Sequence, residues 1–94
     1  MRAIDLLILL NDFNKNNFIC IENDDTFLNV VDIKVTDEGV FLVHSTKITA
    51  LKNWEFSLLI NKKELLELPI FYSYQKNDYQ LFGFRVSDNR ILLG

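Results

Sequence analysis

Cysteine, histidine, glycine and proline are scarce in this sequence, and their scarcity excludes several kinds of chemistry. The single cysteine, Cys20, cannot close an internal disulfide, and its apolar neighbours predict a small buried side chain. Because His44 is the only histidine, the chain falls short of the ligand set of a structural zinc site. Three glycines are too few for a glycine-rich phosphate loop. We therefore expect no disulfide, no bound metal and no cofactor.

Long hydrophobic runs and a strong charge of one sign are also missing. The aliphatic run Leu6–Leu10 is far shorter than the roughly 20 apolar residues that span a bilayer. Asn11, Asp12 and Phe13 follow it where the cleavage site of a signal peptide would need small residues. The net charge of −3 and the scattered arginines disfavour direct binding to nucleic acid. The single cysteine predicts a cytoplasmic protein. The short apolar run predicts a chain that does not cross a membrane.

The sequence does contain enough apolar side chain for one folded domain. Hydrophobic residues make up 49% of the chain and charged residues 24%, a balance typical of globular domains and not of disordered segments. A chain of 94 residues rarely divides into two cores. We predict a single domain over residues 1–94.

Hydrophobic periodicity in the first half predicts one helix and three strands. Apolar residues at helical spacing indicate a helix over residues 3–13. Apolar and alternating runs indicate strands over residues 18–22, 27–35 and 40–44. Residues 36–39 form a hairpin turn whose last residue is glycine. The three strands should therefore form an antiparallel meander.

The second half is less regular. Within residues 45–60 the apolar positions fit a helix as well as a strand, and we favour a strand over 54–60 because every second residue there is apolar. Asn61 and Glu64 have the spacing of a capping box, which predicts a short helix over residues 61–68.

The last third of the chain predicts an aromatic hairpin. Its strands cover residues 70–75 and 79–86, joined by a turn at 76–78, and a last short strand follows at 90–93. The expected fold class is α+β, with an N-terminal helix packed on an antiparallel sheet. The expected order is helix, three-stranded meander, short second helix and C-terminal aromatic hairpin.

No combination of residues predicts catalysis. His44 would have to serve any nucleophile, and its neighbour Ser45 points to the other face of a strand. Aromatic residues such as Tyr72 and Phe84 on adjoining strands are similar to a base-stacking platform, but no cationic groove accompanies them. We expect a protein that is not an enzyme.

Two segments carry more apolar side chain than a small two-layer fold covers. In the first helix, Ile4, Ile8 and Leu9 extend beyond the stripe that would face a sheet. In the hairpin, both faces are apolar or aromatic. Two explanations stay open. Either the helix lies between the meander and the hairpin, or one of these faces meets another protein or a second copy of the chain.

The opening stretch, IDLLILLNDFNKNNFICIENDDTFLNVVDIKVTDEGVFLV, resembles small proteins of phages and prophages. The likeness consists of a leucine-rich helix and acidic turns, carried by Asp5, Leu6, Leu7, Leu10, Asp24, Asp25, Asp37, Glu38 and Gly39. It covers less than half of the chain. The same order of elements is similar to that of certain small anti-CRISPR proteins, which bind a nuclease and block its DNA site with acidic side chains. Lysines interspersed among the acids distinguish this chain from the strongly acidic members.

The resemblance implies a protein-binding module that docks on a host or phage protein as an inhibitor or adaptor. It would act in the host cytoplasm if a phage encodes it. We expect acidic turns to steer the approach and aromatic residues to anchor it, and the predicted contacts are Tyr72, Tyr74, Trp54, Asp24, Asp25, Asp37 and Glu38. The alternative is a structural or assembly subunit that forms a homodimer through the aromatic hairpin.

Overall fold

A computed structural model describes residues 1–94 as one curled sheet of seven strands with two short helices. In chain order the elements are α1 (Ala3–Leu10), β1 (Phe18–Asn23), β2 (Thr26–Val35), β3 (Val40–Ser45), α2 (Asn53–Ile60), β4 (Ile70–Tyr74), β5 (Asn77–Gln80), β6 (Phe84–Ser87) and β7 (Arg90–Leu93). The strand order is β5-β4-β3-β2-β1-β7-β6. Neither helix has the length and hydropathy needed to cross a membrane.

The predicted fold class, α+β with an N-terminal helix on an antiparallel sheet, is wrong because the sheet is mixed and forms a half-barrel. The predicted meander exists as β1, β2 and β3, but it is only the centre of the sheet. Hairpin β4–β5 is joined to it by parallel pairing with β3, and hairpin β6–β7 by parallel pairing with β1. Parallel partners are far apart in sequence and share no local turn, so no turn signal in the sequence predicts which strands pair.

Both helices pack on one face of the sheet, here called the inner face. A main core of 17 buried residues lies between the helices and the sheet. Its helical members are Ala3, Leu6, Leu10, Phe56 and Ile60. Most other members come from inward-facing positions of the strands. Because full burial of a large aliphatic side chain contributes about 1.5–3 kcal/mol, this core is the main source of stability.

A hydrogen bond across the inner face shows how strongly the sheet curls. Nδ2 of Asn23, at the end of β1, donates to the hydroxyl oxygen of Tyr72 on β4 at 2.9 Å. Strands β2 and β3 separate these two strands in the sheet. In a flat sheet, strands three places apart would be about 14 Å from each other. The curl therefore brings the ends of β1 and β4 within side-chain reach.

Strands β1 and β7 are buried on both faces. Ile19 of β1 faces the main core, whereas Cys20 packs with Leu92 of β7 and with Ala50 in a second cluster on the outer face. The N–H of Ile19 donates to the carbonyl of Leu51 at 2.8 Å, which holds the segment after β3 beside this cluster. The outer face is therefore covered over β1 and β7 by the chain itself.

Helix α1 ends at Leu10, earlier than predicted, and a side chain from α2 meets its end. Asn53 is buried, and its Nδ2 donates to the carbonyl of Leu10 at 2.9 Å and to those of Phe13 and Asn14 at 3.4 and 3.3 Å. Its Oδ1 accepts a hydrogen bond from Ser57 at 3.0 Å. The last carbonyls of a helix lack intrahelical partners, so Asn53 completes the end of α1.

The apolar excess of α1 is only partly covered. Leu6 is buried, Leu7 and Leu9 pack against the core from the flanks, and Ile8 is 66% exposed. The helix does not lie between a meander and a separate hairpin, because β4–β5 belongs to the same sheet. One apolar residue of α1, Ile8, therefore faces solvent.

Helix α2 occupies the stretch predicted as a strand, residues 54–60. Phe56 and Ile60 are buried, whereas Trp54 and Leu58 are exposed. Alternation would place these four on one face of a strand, but the same spacing divides them between two faces of a helix. The parallel pairing of β3 with β4 also requires a long crossover connection, and α2 forms part of it.

The short helix predicted over residues 61–68 is wrong, since the segment forms turns. The carbonyls of Leu66 and Leu68 accept hydrogen bonds from the N–H groups of Ile4 and Ala3, both at 2.9 Å. The first N–H groups of a helix have no intrahelical partners. The turns therefore complete the start of α1, a contact between distant segments that local capping signals do not reveal.

The strand predicted over residues 79–86 is interrupted at 81–83, where the chain crosses from β5 to β6. The first N–H of this crossing donates to Ile70 on β4, and the next two donate to Gly94, which follows β7. Strands β5 and β6 are therefore the two outermost strands of the sheet. The predicted aromatic hairpin is in fact two hairpins at opposite edges.

Two hairpin turns have backbone conformations that favour glycine. In the β4–β5 turn, Gln75 and Lys76 have φ values of 51° and 67°, the pair of positive values found in type I′ turns. Side chains other than glycine cost roughly 1–2 kcal/mol per residue in this region. In the β2–β3 turn, Gly39 has a φ of 152°, and a Cβ there would lie 2.4 Å from the carbonyl oxygen of Pro69. Only glycine fits at Gly39.

Replacing Asn53 by leucine should destabilise the fold. We expect Asn53→Leu to lower the free energy of unfolding by about 2–3 kcal/mol, because buried carbonyl oxygens and the Ser57 hydroxyl lose their partner. Urea denaturation followed by circular dichroism measures this change. Asn16→Leu is the control, because Asn16 is exposed. An equal loss in both variants would contradict the role assigned to Asn53.

Glycine in the β4–β5 turn should stabilise the fold. We expect Lys76→Gly to raise the free energy of unfolding by about 1 kcal/mol, because the positive φ no longer strains a Cβ. Lys76→Ala removes the same charge and keeps the Cβ, so it should give no gain. Urea denaturation of the two variants measures these changes. If Lys76→Ala raised the free energy of unfolding as much as Lys76→Gly, backbone strain would be excluded as the cause.

Candidate functional site

The structure does not bring the predicted contact residues together on one surface. Asp24 and Asp25 form the turn before β2, and Asp37 and Glu38 form the turn after it. Ten residues of extended strand, about 30 Å, separate the two turns. The acidic turns therefore lie at opposite ends of the sheet and cannot act as one patch.

The predicted aromatic anchors do not form one exposed surface either. Tyr72 is buried and its hydroxyl accepts the hydrogen bond from Asn23, and Tyr74 is half-buried against the core. Both point to the inner face. Trp54 is exposed on α2, where its backbone N–H donates to the carbonyl of Lys15. None of the three lies on the outer face of the sheet.

The largest concave surface lies on the outer face, across β2, β3, β4 and β5. We call it the outer groove; it has a volume of about 480 Å³ and is lined by Lys34, Thr36, Glu38, Phe41, Leu42, Val43, His44, Ser73 and Asp78. No helix covers this half of the outer face, because both helices pack on the inner one. The groove is therefore open to solvent.

Aromatic and aliphatic side chains form the floor of the outer groove and its margin. Phe41 on β3 and Phe71 on β4 are register partners, and their rings stack with centroids 5.2 Å apart. Val43, two residues after Phe41, points to the same face and is 39% exposed. An outer sheet face is usually polar when only the other face meets a core. The sequence did show apolar residues on both faces of residues 70–75, but alternation alone could not show that the tyrosines face inward.

The groove carries mixed charge with an excess of carboxylates. Lys34 is its only lysine, whereas Glu38 and Asp78 are acidic, and Asp32, the register partner of Val43, lies on the same face. All four of these charged residues are exposed. One of the two predicted acidic turns, that of Glu38, therefore flanks the groove, and the turn of Asp24 and Asp25 does not.

The groove brings together a serine, a histidine and an aspartate, but their hydrogen bonds do not form a catalytic triad. The hydroxyl of Ser73 donates to Asp78, its register partner on β5. Nε2 of His44 lies 2.6 Å from the backbone carbonyl oxygen of Ser73, to which it donates, and not from the hydroxyl. The β3–β4 ladder ends just before this point, at Leu42 and Tyr72, so His44 binds a carbonyl that the ladder leaves free. In a catalytic triad the histidine accepts the proton of the serine hydroxyl, and here His44 is bonded to the backbone carbonyl of Ser73 instead.

Other reactive groups lie outside the groove and are engaged elsewhere. Burial raises the pKa of the Cys20 thiol, which makes the reactive thiolate scarce, and its Sγ donates to Oδ1 of Asn29 at 3.5 Å. Glu22 on β1 accepts two hydrogen bonds from the Arg85 guanidinium, at 2.8 and 2.6 Å. These bonds hold the pKa of the Glu22 carboxyl below its usual range.

No family model, curated protein or solved structure matches this chain. Within the structure itself, no group of three or more histidine, cysteine, aspartate or glutamate side chains is placed to hold a metal ion.

The Glu22–Arg85 pair should make stability depend on pH. A carboxyl whose pKa is lowered by folding stabilises the native state above its unfolded pKa, and this stabilisation is lost as the pH falls through the folded value. Glu22→Gln should therefore be less stable than the wild type near neutral pH, and the difference should shrink on acidification. Urea midpoints at about pH 7 and about pH 3 measure it. Glu64→Gln, at an exposed acid, should show no such trend, and a constant Glu22→Gln deficit would contradict the assignment.

Proposed function

We propose that this chain is a protein-binding module and that the outer groove is its contact surface. The observation that carries the proposal is the stacked pair of Phe41 and Phe71, both partly exposed, beside the exposed Val43 on the half of the outer face that no helix covers. Aromatic residues ringed by polar ones are typical of the centre of a protein interface.

The charges on this surface favour a protein over a nucleic acid. Carboxylates of Asp32, Glu38 and Asp78 outnumber the ammonium group of Lys34, and such a surface repels phosphates. The same excess steers a basic segment of a protein toward the groove. The expected partner therefore presents apolar side chains flanked by lysine or arginine.

The biological role follows from the likeness to small phage proteins in the opening stretch. We infer that the chain acts as an inhibitor or adaptor that docks on a host or phage protein in the cytoplasm. Of the residues predicted as contacts, Asp37 and Glu38 keep this role, because their turn flanks the groove. An enzymatic role is not proposed, since Ser73 is bonded to Asp78 and not to His44.

A lysine in the groove should weaken partner binding, whereas a lysine on the helix layer should not. We expect Val43→Lys to weaken binding at least about tenfold, because it places a charge among apolar contacts at the centre of the interface. The measurement is quantitative mass spectrometry of proteins captured from source-cell lysate by immobilised chain.

The matched control is Leu58→Lys, because Leu58 is a 65% exposed apolar residue of α2 on the other side of the sheet. Urea denaturation first establishes that both variants are folded. Equal recovery of every captured protein by wild type, Val43→Lys and Leu58→Lys would contradict the assignment of the groove.

A further inference from the structure

The two edges of the sheet differ in how they meet solvent. At one edge lies β5, whose sequence is Asn-Asp-Tyr-Gln, and at the other lies β6, whose sequence is Phe-Arg-Val-Ser. Unpaired edge strands invite pairing with another strand, and proteins usually protect them with charge. Asp78 protects β5. Strand β6 has no free charged side chain to protect it in the same way, because Arg85 is bonded to Glu22.

Alternate residues of β6 form backbone hydrogen bonds with β7, and the residues between them do not. Gly83 and Gly94 exchange two backbone hydrogen bonds, both at 3.1 Å. Hydrogen-bonded pairs alternate with non-bonded pairs along an antiparallel ladder, so the next bonded residues of β6 are Arg85 and Ser87. The N–H and C=O groups of Phe84 and Val86 therefore point away from β7. These four groups form the free edge of the sheet.

The same two residues carry apolar side chains that are only half-covered. Phe84 and Val86 are the register partners of the buried Leu93 and Ile91, so they face inward, and each is 43% exposed. Phe13 packs on the Phe84 ring with centroids 5.3 Å apart. Phe82, just before β6, is 85% exposed. The free backbone edge and the exposed apolar side chains thus coincide.

From this coincidence we infer that β6 is a homodimer interface in which two copies pair antiparallel about a two-fold axis at Arg85. In this register Phe84 lies opposite Val86 of the second copy, and Val86 lies opposite Phe84 of the second copy. Each pair exchanges two hydrogen bonds through the groups that point away from β7. Aromatic and β-branched residues are favourable cross-strand neighbours, so the edge is complementary to itself.

Charge permits this pairing although it brings two arginines together. Arg85 would face Arg85 of the second copy on the outer face, and like charges opposite each other destabilise a sheet. Each guanidinium is already neutralised by two hydrogen bonds to its own Glu22. The meeting groups are therefore two neutral ion pairs, and the dimer would be a continuous sheet with an outer groove on each copy.

The dimer does not rest on the proposed function of the groove, since β6 and the groove strands lie at different ends of the strand order. Sedimentation equilibrium of the wild type should show a dimer at micromolar concentration. Val86→Lys should raise the dimer dissociation constant at least tenfold, because lysine on an edge blocks strand addition. Val35→Lys, at a 52% exposed valine of β2, and Val43→Lys should dimerise like the wild type.

A second variant separates strand pairing from mere apolar contact. Val86→Pro keeps an apolar side chain of similar size but removes an N–H that points away from β7, and edge strands tolerate proline there. It should also be monomeric. A wild type that stays monomeric at about 100 μM, far above the dissociation constant expected here, overturns the inference. So does a Val86→Pro variant that dimerises as well as the wild type.

Disulfide trapping tests the register. The two-fold axis at Arg85 places this residue opposite itself in a non-bonded pair, where Cα atoms lie about 4.5 Å apart. Under mild oxidation Arg85→Cys should therefore give a covalent dimer. Ser87→Cys would face Gly83 of the second copy and should not. Cys20 is buried in the wild type, so it should not form the disulfide in either variant. Equal trapping of the two variants would exclude this register.

Discussion

The parallel pairing of β1 with β7 is the contact on which the rest of the structure depends. It joins the last strand to the first, and Ile19, Cys20 and Ile21 lie in register with Ile91, Leu92 and Leu93. All six side chains are buried, three pairs divided between the two faces. Without this pairing, β6 and β7 would be a separate hairpin, and two-stranded hairpins are only marginally stable in water.

The same pairing determines which surfaces are left open. A strand pair that is apolar on both faces must be covered on both, and the helices and the segment around Ala50 supply that cover. The chain is short, so the outer face over β3, β4 and β5 stays bare and forms the outer groove. The pairing also places β7 beside β1, so that β5 and β6 are the edges of the sheet. The outer groove and the free edge therefore exist because the chain has too few residues to cover the whole sheet.

Local sequence signals located most elements but misjudged those whose conformation depends on distant contacts. The strands near Phe18, Thr26, Val40 and Ile70 were predicted because alternation and turn residues are local properties. The helix predicted after residue 60 failed because Leu66 and Leu68 bind the start of α1 instead. One feature of the sequence did point to buried strands at β1 and β7. Each contains three consecutive apolar residues, which is typical of strands buried on both faces.

The sequence by itself determined the turns on either side of β2, the central meander and the presence of apolar and aromatic residues on both faces of residues 70–75. It could do so because these properties depend on neighbours within a few positions. Only the tertiary structure decided that Tyr72 is buried and Phe71 is on the outer face. It also decided that His44 binds a carbonyl and that Phe84 lies on a free edge. The physical reason is that strand order and curl are set by long-range pairing, and a side chain's surroundings follow from that pairing and not from its own segment.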